Sequence, residues 1–137
     1  MSLGYEGVCK LVDQDNELAI YAYSGADWAN PAHRNHIRDY DGIILIYKQC
    51  LEEPEIHTRM QRRPSGRKYE STKIITHIPD INKHIMDGNI IIDRECKNAI
   101  RRGSGSIVDY IAHKLLLKIF VYYQEKGVLP EIAAFVQ

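Results

Sequence analysis

Val8-Cys9-Lys10-Leu11-Val12 and Leu18-Ala19-Ile20-Tyr21-Ala22-Tyr23, with Asp13-Gln14-Asp15-Asn16-Glu17 between them, decide the fold. Both runs are rich in β-branched, aromatic and aliphatic residues, and the polar cluster suits a turn. The pair therefore reads as an antiparallel hairpin. Side chains alternate along a strand, which puts Ala19, Tyr21 and Tyr23 on one face and Leu18, Ile20 and Ala22 on the other. Neither set is polar, so both faces are expected to be at least partly covered.

Outward from the hairpin, Gly42-Ile43-Ile44-Leu45-Ile46-Tyr47 is a continuous apolar run, the pattern of a central strand buried on both faces and expected in the middle of the sheet. The stretch Ser24 to Asp41 before it carries Trp28, Pro31, His33 and His36 among small and polar residues without a period, and reads as a long loop. Asn89 to Asp93 is a further strand. Pro79 and Gly88 bracket a short helix from Asp80 to Asp87, with Ile81, His84 and Ile85 on one side. Ser106-Ile107-Val108-Asp109 matches a capping box, and Gly127 followed by Pro130 marks a stop, so the spacing predicts a long helix over Ser106 to Lys126. Val108, Ile111, Ala112, Leu115, Leu116, Ile119, Phe120 and Tyr123 fall on one face of it. Asp109, His113, Lys114, Lys118 and Glu125 lie away from that face. Tyr110, Leu117 and Val121 fall outside the stripe and need a second apolar contact, with the tail Leu129 to Val136 expected before another subunit.

These elements give an α+β fold in one domain spanning 1–137: an antiparallel or mixed sheet of about four or five strands against one long C-terminal helix, plus a short helix. Hydrophobic residues make up 45% of the chain, enough for a core without extra crosslinks. Cys9, Cys50 and Cys96 are widely spaced and form no CxxC pair, which argues against a disulfide framework or a zinc module. The apolar runs are far shorter than the roughly 20 residues of a spanning helix, and the N-terminus has no secretory pattern. The chain is expected to be cytoplasmic, away from membranes, and to require no cofactor.

Eighteen Lys and Arg balance eighteen Asp and Glu, so attraction to a polyanion must come from a local patch. One exists. After the acidic Glu52-Glu53-Pro54-Glu55, the residues Arg59, Arg62, Arg63, Arg67, Lys68 and Lys73 follow against Glu70 alone. Pro64-Ser65-Gly66 makes a turn in the middle, leading to a strand at Lys73 to Ile78, so this basic arm is expected to protrude as a hairpin or loop. Tyr69 and Met60 are interleaved in it, and such an arm can follow a nucleic-acid backbone. The plainer reading pairs its charges with Glu52, Glu53 and Glu55.

Three further patterns carry chemistry. Pro79-Asp80 followed by Glu95-Cys96-Lys97 has the residue order of a PD-(D/E)xK nuclease signature, in which two carboxylates hold a divalent metal and the lysine polarises water or phosphate. Asp80 as a helix cap explains the same residue more simply. Arg101-Arg102-Gly103-Ser104-Gly105-Ser106 could cradle an anion, because glycines turn backbone N–H groups toward a ligand and two guanidinium groups stand beside them. It is no Walker loop, and a flexible loop with a serine cap accounts for it too. His33, His36, Asp27, Asp39 and Asp41 are metal-ligand types without the spacing of a tetrahedral site, so no metal is assigned. Trp28 beside them suits a partner contact, since Trp is enriched in interface anchors. Without a convincing catalytic constellation, the sequence points first to a non-catalytic binding or regulatory protein acting through a protein partner by way of Trp28 and the basic arm. A nucleic-acid-binding protein, in one version a metal-dependent nuclease, is the alternative, and a homodimer fits either.

Overall fold

A computed structural model describes residues 4–28, 39–96 and 109–136. Strands β1 (Tyr5–Gln14), β2 (Leu18–Asp27), β3 (Gly42–Tyr47), β6 (Ile90–Arg94) and β7 (Ile132–Val136) form an antiparallel five-stranded sheet in the order β6-β3-β2-β1-β7. Strands β4 (Glu55–Arg62) and β5 (Lys68–Ile75) form a separate two-stranded sheet. Helix α1 (Ile81–Met86) is short, and helix α2 (Tyr110–Lys126) crosses one face of the large sheet. Among the described residues no helix is long and apolar enough to cross a membrane.

The hairpin forms as its pattern dictates. The Asp15 carboxylate accepts hydrogen bonds from the backbone N–H groups of Glu17 and Leu18, closing the turn and holding its own pKa below the ordinary value. Cys9 pairs with Tyr23, Tyr21 with Ile44, Ile44 with Ile92 and Gly7 with Phe135, so these side chains share one face. Against them α2 sets Ile111, Ala112, Leu115, Leu116, Ile119 and Phe120, all buried, which is the stripe its periodicity predicts. Leu18 and Ile20 on the opposite face are half-buried, as a strand apolar on both sides requires.

Several boundaries differ from the sequence expectation, the first being β1, which runs Tyr5–Gln14 where Val8 to Val12 was expected. β2 runs on to Asp27 where a loop was expected from Ser24, because Ser24, Gly25 and Ala26 are buried and pair with Val8, Gly7 and Glu6 of β1. A Cβ on Gly25 would collide with the Ile111 side chain, so the start of α2 lies directly on this strand. The helix begins at Tyr110, not Ser106: Asp109 has extended backbone angles, and its side chain accepts from the Ile111 N–H. Asp is as good an N-cap as Ser, so the local sequence did not distinguish them. β5 spans Lys68–Ile75, starting before the Lys73 and ending before the Ile78 expected. The tail does not lie along the outer helix surface but joins the sheet as β7, leaving Leu117 and Val121 in an open groove of about 430 Å³ with Lys114, Lys118, Tyr122 and Glu125. The end of α2 matches expectation, with Gly127 in the left-handed region at φ 75°.

Candidate functional site

The basic arm is the β4–β5 ribbon. Arg63 and Gly66 close its tip: the Gly66 N–H donates to the Arg63 carbonyl, and Gly66 takes φ 88°, which glycine adopts without strain. The register sets Ile56 opposite Ile74, His57 opposite Lys73, Arg59 opposite Ser71 and Arg62 opposite Lys68. Alternation then divides the ribbon into two faces. His57, Arg59, Gln61, Tyr69, Ser71 and Lys73 lie on one, and all of these but Tyr69 border a concavity of about 520 Å³. Ile56, Met60 and Ile74 lie on the other with Arg62 and Lys68, and they are 60%, 62% and 49% exposed.

Every residue of β4 is exposed. Residues 55–75 carry six cationic side chains against Glu55 and Glu70, a net charge of +4 on a chain that totals zero, which leaves −4 for the remainder. The expected pairing with Glu52, Glu53 and Glu55 does not occur. Glu53 accepts a hydrogen bond from the Tyr123 hydroxyl, Glu52 lies 3.8 Å from His84 Nε2, and Glu55 meets His57 at 2.9 Å. These acidic residues secure the base of the arm, not its cations. Among the described residues, Arg59, Arg62, Arg67, Lys68 and Lys73 have no carboxylate partner, while the Arg63 guanidinium sits 4.8 Å over the Tyr69 ring. The Tyr69 hydroxyl donates to Gln61 Oε1, which fixes that ring on the ribbon.

A two-stranded ribbon alone is marginal in water. Its footing supplies what the ladder lacks. Gln124, buried on α2, accepts from the His77 N–H at 2.7 Å and donates to the His77 carbonyl at 2.8 Å, while neighbouring Tyr123 donates to Glu53. Both legs of the arm therefore stand on the last turns of α2. Sequence reading passed over Gln124, although a glutamine one turn beyond Phe120 on an apolar stripe marks a buried polar group that needs partners.

The other candidates fall elsewhere. Trp28 follows β2 at the end remote from Leu18, whereas the arm leaves β3 beside Leu18, so ten residues of strand separate them by about 30 Å. The Trp28 indole is half-buried, with Nε1 donating to Glu6 Oε2. Trp28 and the arm are thus two surfaces, not one. Asp80 caps α1, accepting from the Lys83 N–H, and it precedes a helix instead of lying in a strand. Glu95 is exposed just after β6, and Lys97 lies outside the described residues. Among the described residues no group of three His, Cys, Asp or Glu side chains is arranged to hold a metal. His33 and His36 also lie outside them, as do Arg101, Arg102, Gly103, Ser104, Gly105 and Ser106. What α2 does show is that its N-terminus already carries the carboxylate of Asp109.

That carboxylate is the most unusual buried group. Asp109 was expected to lie away from the core, yet it is fully buried. Its Oδ2 accepts from the Tyr23 hydroxyl at 2.8 Å and from Cys96 Sγ at 3.8 Å, and the Cys96 N–H donates to the Tyr23 oxygen at 3.2 Å. Burial, and next the Asp109 charge, push the Tyr23 phenol far above its ordinary range, so it remains a donor. The cluster ties β2, the end of β6 and the start of α2 together. Spanning three elements through side chains with little or no exposure, it works as a structural lock. Comparison with protein-family models, with curated proteins and with solved structures finds no match to the chain.

Proposed function

We propose that this is a non-catalytic nucleic-acid-binding protein that engages the phosphate backbone of a duplex through the β4–β5 arm. The observation that carries the reading is the separation of charge: +4 gathered on a separate, largely exposed ribbon whose guanidinium and ammonium groups lack carboxylate partners among the described residues. Cations held apart from carboxylates are available to phosphates, and the counterions they release make binding strongly salt-dependent. The shape suits the task, because the major groove of B-DNA admits a two-stranded β-ribbon. Eight residues per strand reach about 25 Å. Arg59 and Lys73 on one face and Arg62 and Lys68 on the other then face opposite walls of a groove, with Arg67 at the tip. Cys9, Cys50 and Cys96 are buried thiols, which suits action in the reducing cytoplasm.

The test is fluorescence anisotropy with labelled double- and single-stranded oligonucleotides across salt, with and without magnesium or manganese. The expected result is duplex binding whose log–log salt slope is about −3 to −5, near 0.9 for each phosphate neutralised, reduced by about 2 in the Arg62→Gln/Lys68→Gln double variant. No binding at low salt, or an unchanged slope in the variant, overturns the reading. Metal-dependent cleavage would overturn its non-catalytic part and return attention to Asp80, Glu95 and Lys97.

A second reading rests on a separate observation. Ile56 and Ile74 are directly opposed and exposed, with Met60 on the same face, an apolar strip suited to a protein partner. Under it, Ile56→Ser abolishes capture of that partner while leaving the oligonucleotide salt slope unchanged.

A further inference from the structure

β7, Ile132-Ala133-Ala134-Phe135-Val136, is the outer strand at one end of the large sheet, bonded to β1 on one side. The Leu11 N–H donates to the Glu131 carbonyl at 2.8 Å, so the backbone of Glu131 faces β1. Backbone groups alternate sides along an antiparallel strand, so Ala133 and Phe135 also face β1. Ile132, Ala134 and Val136 therefore turn their N–H and C=O groups outward. Edge strands are ordinarily blunted by a lysine, a proline or a bulge. β7 has none of these and no charge at all, and Ile132 and Val136 are 66% and 78% exposed. The strand at the opposite end, β6, closes with Asp93 and Arg94.

We propose that β7 pairs antiparallel with β7 of a second copy of this chain about a two-fold axis at Ala134, joining two sheets into one of ten strands. Self-complementarity selects this occupant. In that register Ile132 lies opposite Val136 of the second copy, Ala133 opposite Phe135, and Ala134 opposite its own equivalent, so no charge meets a like charge and each exposed aliphatic side chain gains an aliphatic neighbour. The outward groups of residues 132, 134 and 136 supply about six ladder hydrogen bonds. An interface limited to one strand edge is small, which makes the dimer weak and concentration-dependent.

Sedimentation velocity on the full chain from about 5 to 300 µM tests this, a range that spans weak association. The expected result is a rise from 15.8 kDa toward twice that mass. Ala134→Pro removes an outward N–H from an edge strand, where proline is tolerated, and Ala134→Lys sets two like charges opposite each other on the axis. Each is expected to raise the dissociation constant at least about tenfold while the circular dichroism is unchanged. A wild-type chain that stays monomeric throughout, or folded variants that dimerise as before, overturns the proposal. Hydrogen exchange on the wild type supplies a readout that does not depend on how the variants fold. The amides of Ile132, Ala134 and Val136 gain protection with concentration, and a lack of concentration dependence counts equally against it.

Discussion

Replacing Tyr23 with Phe removes one oxygen from the middle of the protein and leaves the ring in place. That oxygen gives Asp109 a 2.8 Å hydrogen bond and accepts a 3.2 Å one from the Cys96 N–H, in a region where Tyr23 and Asp109 are both fully buried. A hydrogen bond to a charged group contributes about 1.5–3 kcal/mol, and withdrawing the acceptor of a buried N–H adds about 1 kcal/mol. The expected loss is therefore about 2.5–4 kcal/mol, a large part of the roughly 5–15 kcal/mol by which domains of this kind are usually stable. Urea unfolding followed by circular dichroism and by Trp28 fluorescence measures it, with an unchanged m-value showing that the folded and unfolded states keep their extent. Asp109→Ala should cost at least as much, since it strips the helix cap together with the acceptor of Tyr23. Oligonucleotide binding by the Phe variant should match the wild type, because the arm leaves the sheet at its other end. A Tyr23→Phe destabilisation under about 0.5 kcal/mol would refute the account, showing that the carboxylate does not depend on that donor.

Gly42→Ala places a methyl against the Tyr23 ring and should destabilise the chain by about 1–3 kcal/mol in the same urea assay. Burial pushes the Cys9 thiol up to about 12 and the Cys50 thiol up to about 11 from an ordinary 9.0. The folded chain thus holds these protons more tightly than the unfolded one, and stability should be full below pH 9 and fall as pH rises toward 11–12, a decline that Cys9→Ala should lessen. Burial, and then Lys114, lower the pKa of His113 below 6.5, so the unfolded state takes up that proton first. Stability should be present above pH 6.5 and fall below it, with a shallower fall in His113→Gln when urea midpoints are compared between pH 7 and 5.

Much of the fold was legible because period and burial agree. Ala19, Tyr21 and Tyr23 alternate onto the core face, and Ile111 through Phe120 fall on one helical stripe, so pattern alone located both layers. What escaped was set by tertiary contact. Ser24-Gly25-Ala26 has loop composition, but the missing side chain of Gly25 is what lets Ile111 approach β2. Asp109 resembles a solvated helix residue until Tyr23, 86 positions away, supplies its partner. Ala133 and Ala134 carry weak strand preference, and β1 recruits them into a ladder. The basic arm was found from charge alone, yet its separateness was not, because the fate of Glu52 and Glu53 depends on His84 and Tyr123 of two helices.

The footing of the arm has a mechanical reading. Among the described residues no main-chain ladder passes between the two sheets, and the ribbon is attached through Glu53 and His77 to consecutive residues, Tyr123 and Gln124, of α2, and through Glu52 to His84 of α1. A load on the tip therefore reaches the body through side chains of α1 and the final turn of α2, not as shear across the strands. The ribbon is a detachable tool on a fixed mount: joining Glu53 to His77 by a short glycine-serine bridge should remove it with the five-stranded body intact, and ribbons of other sequence could be fitted in its place.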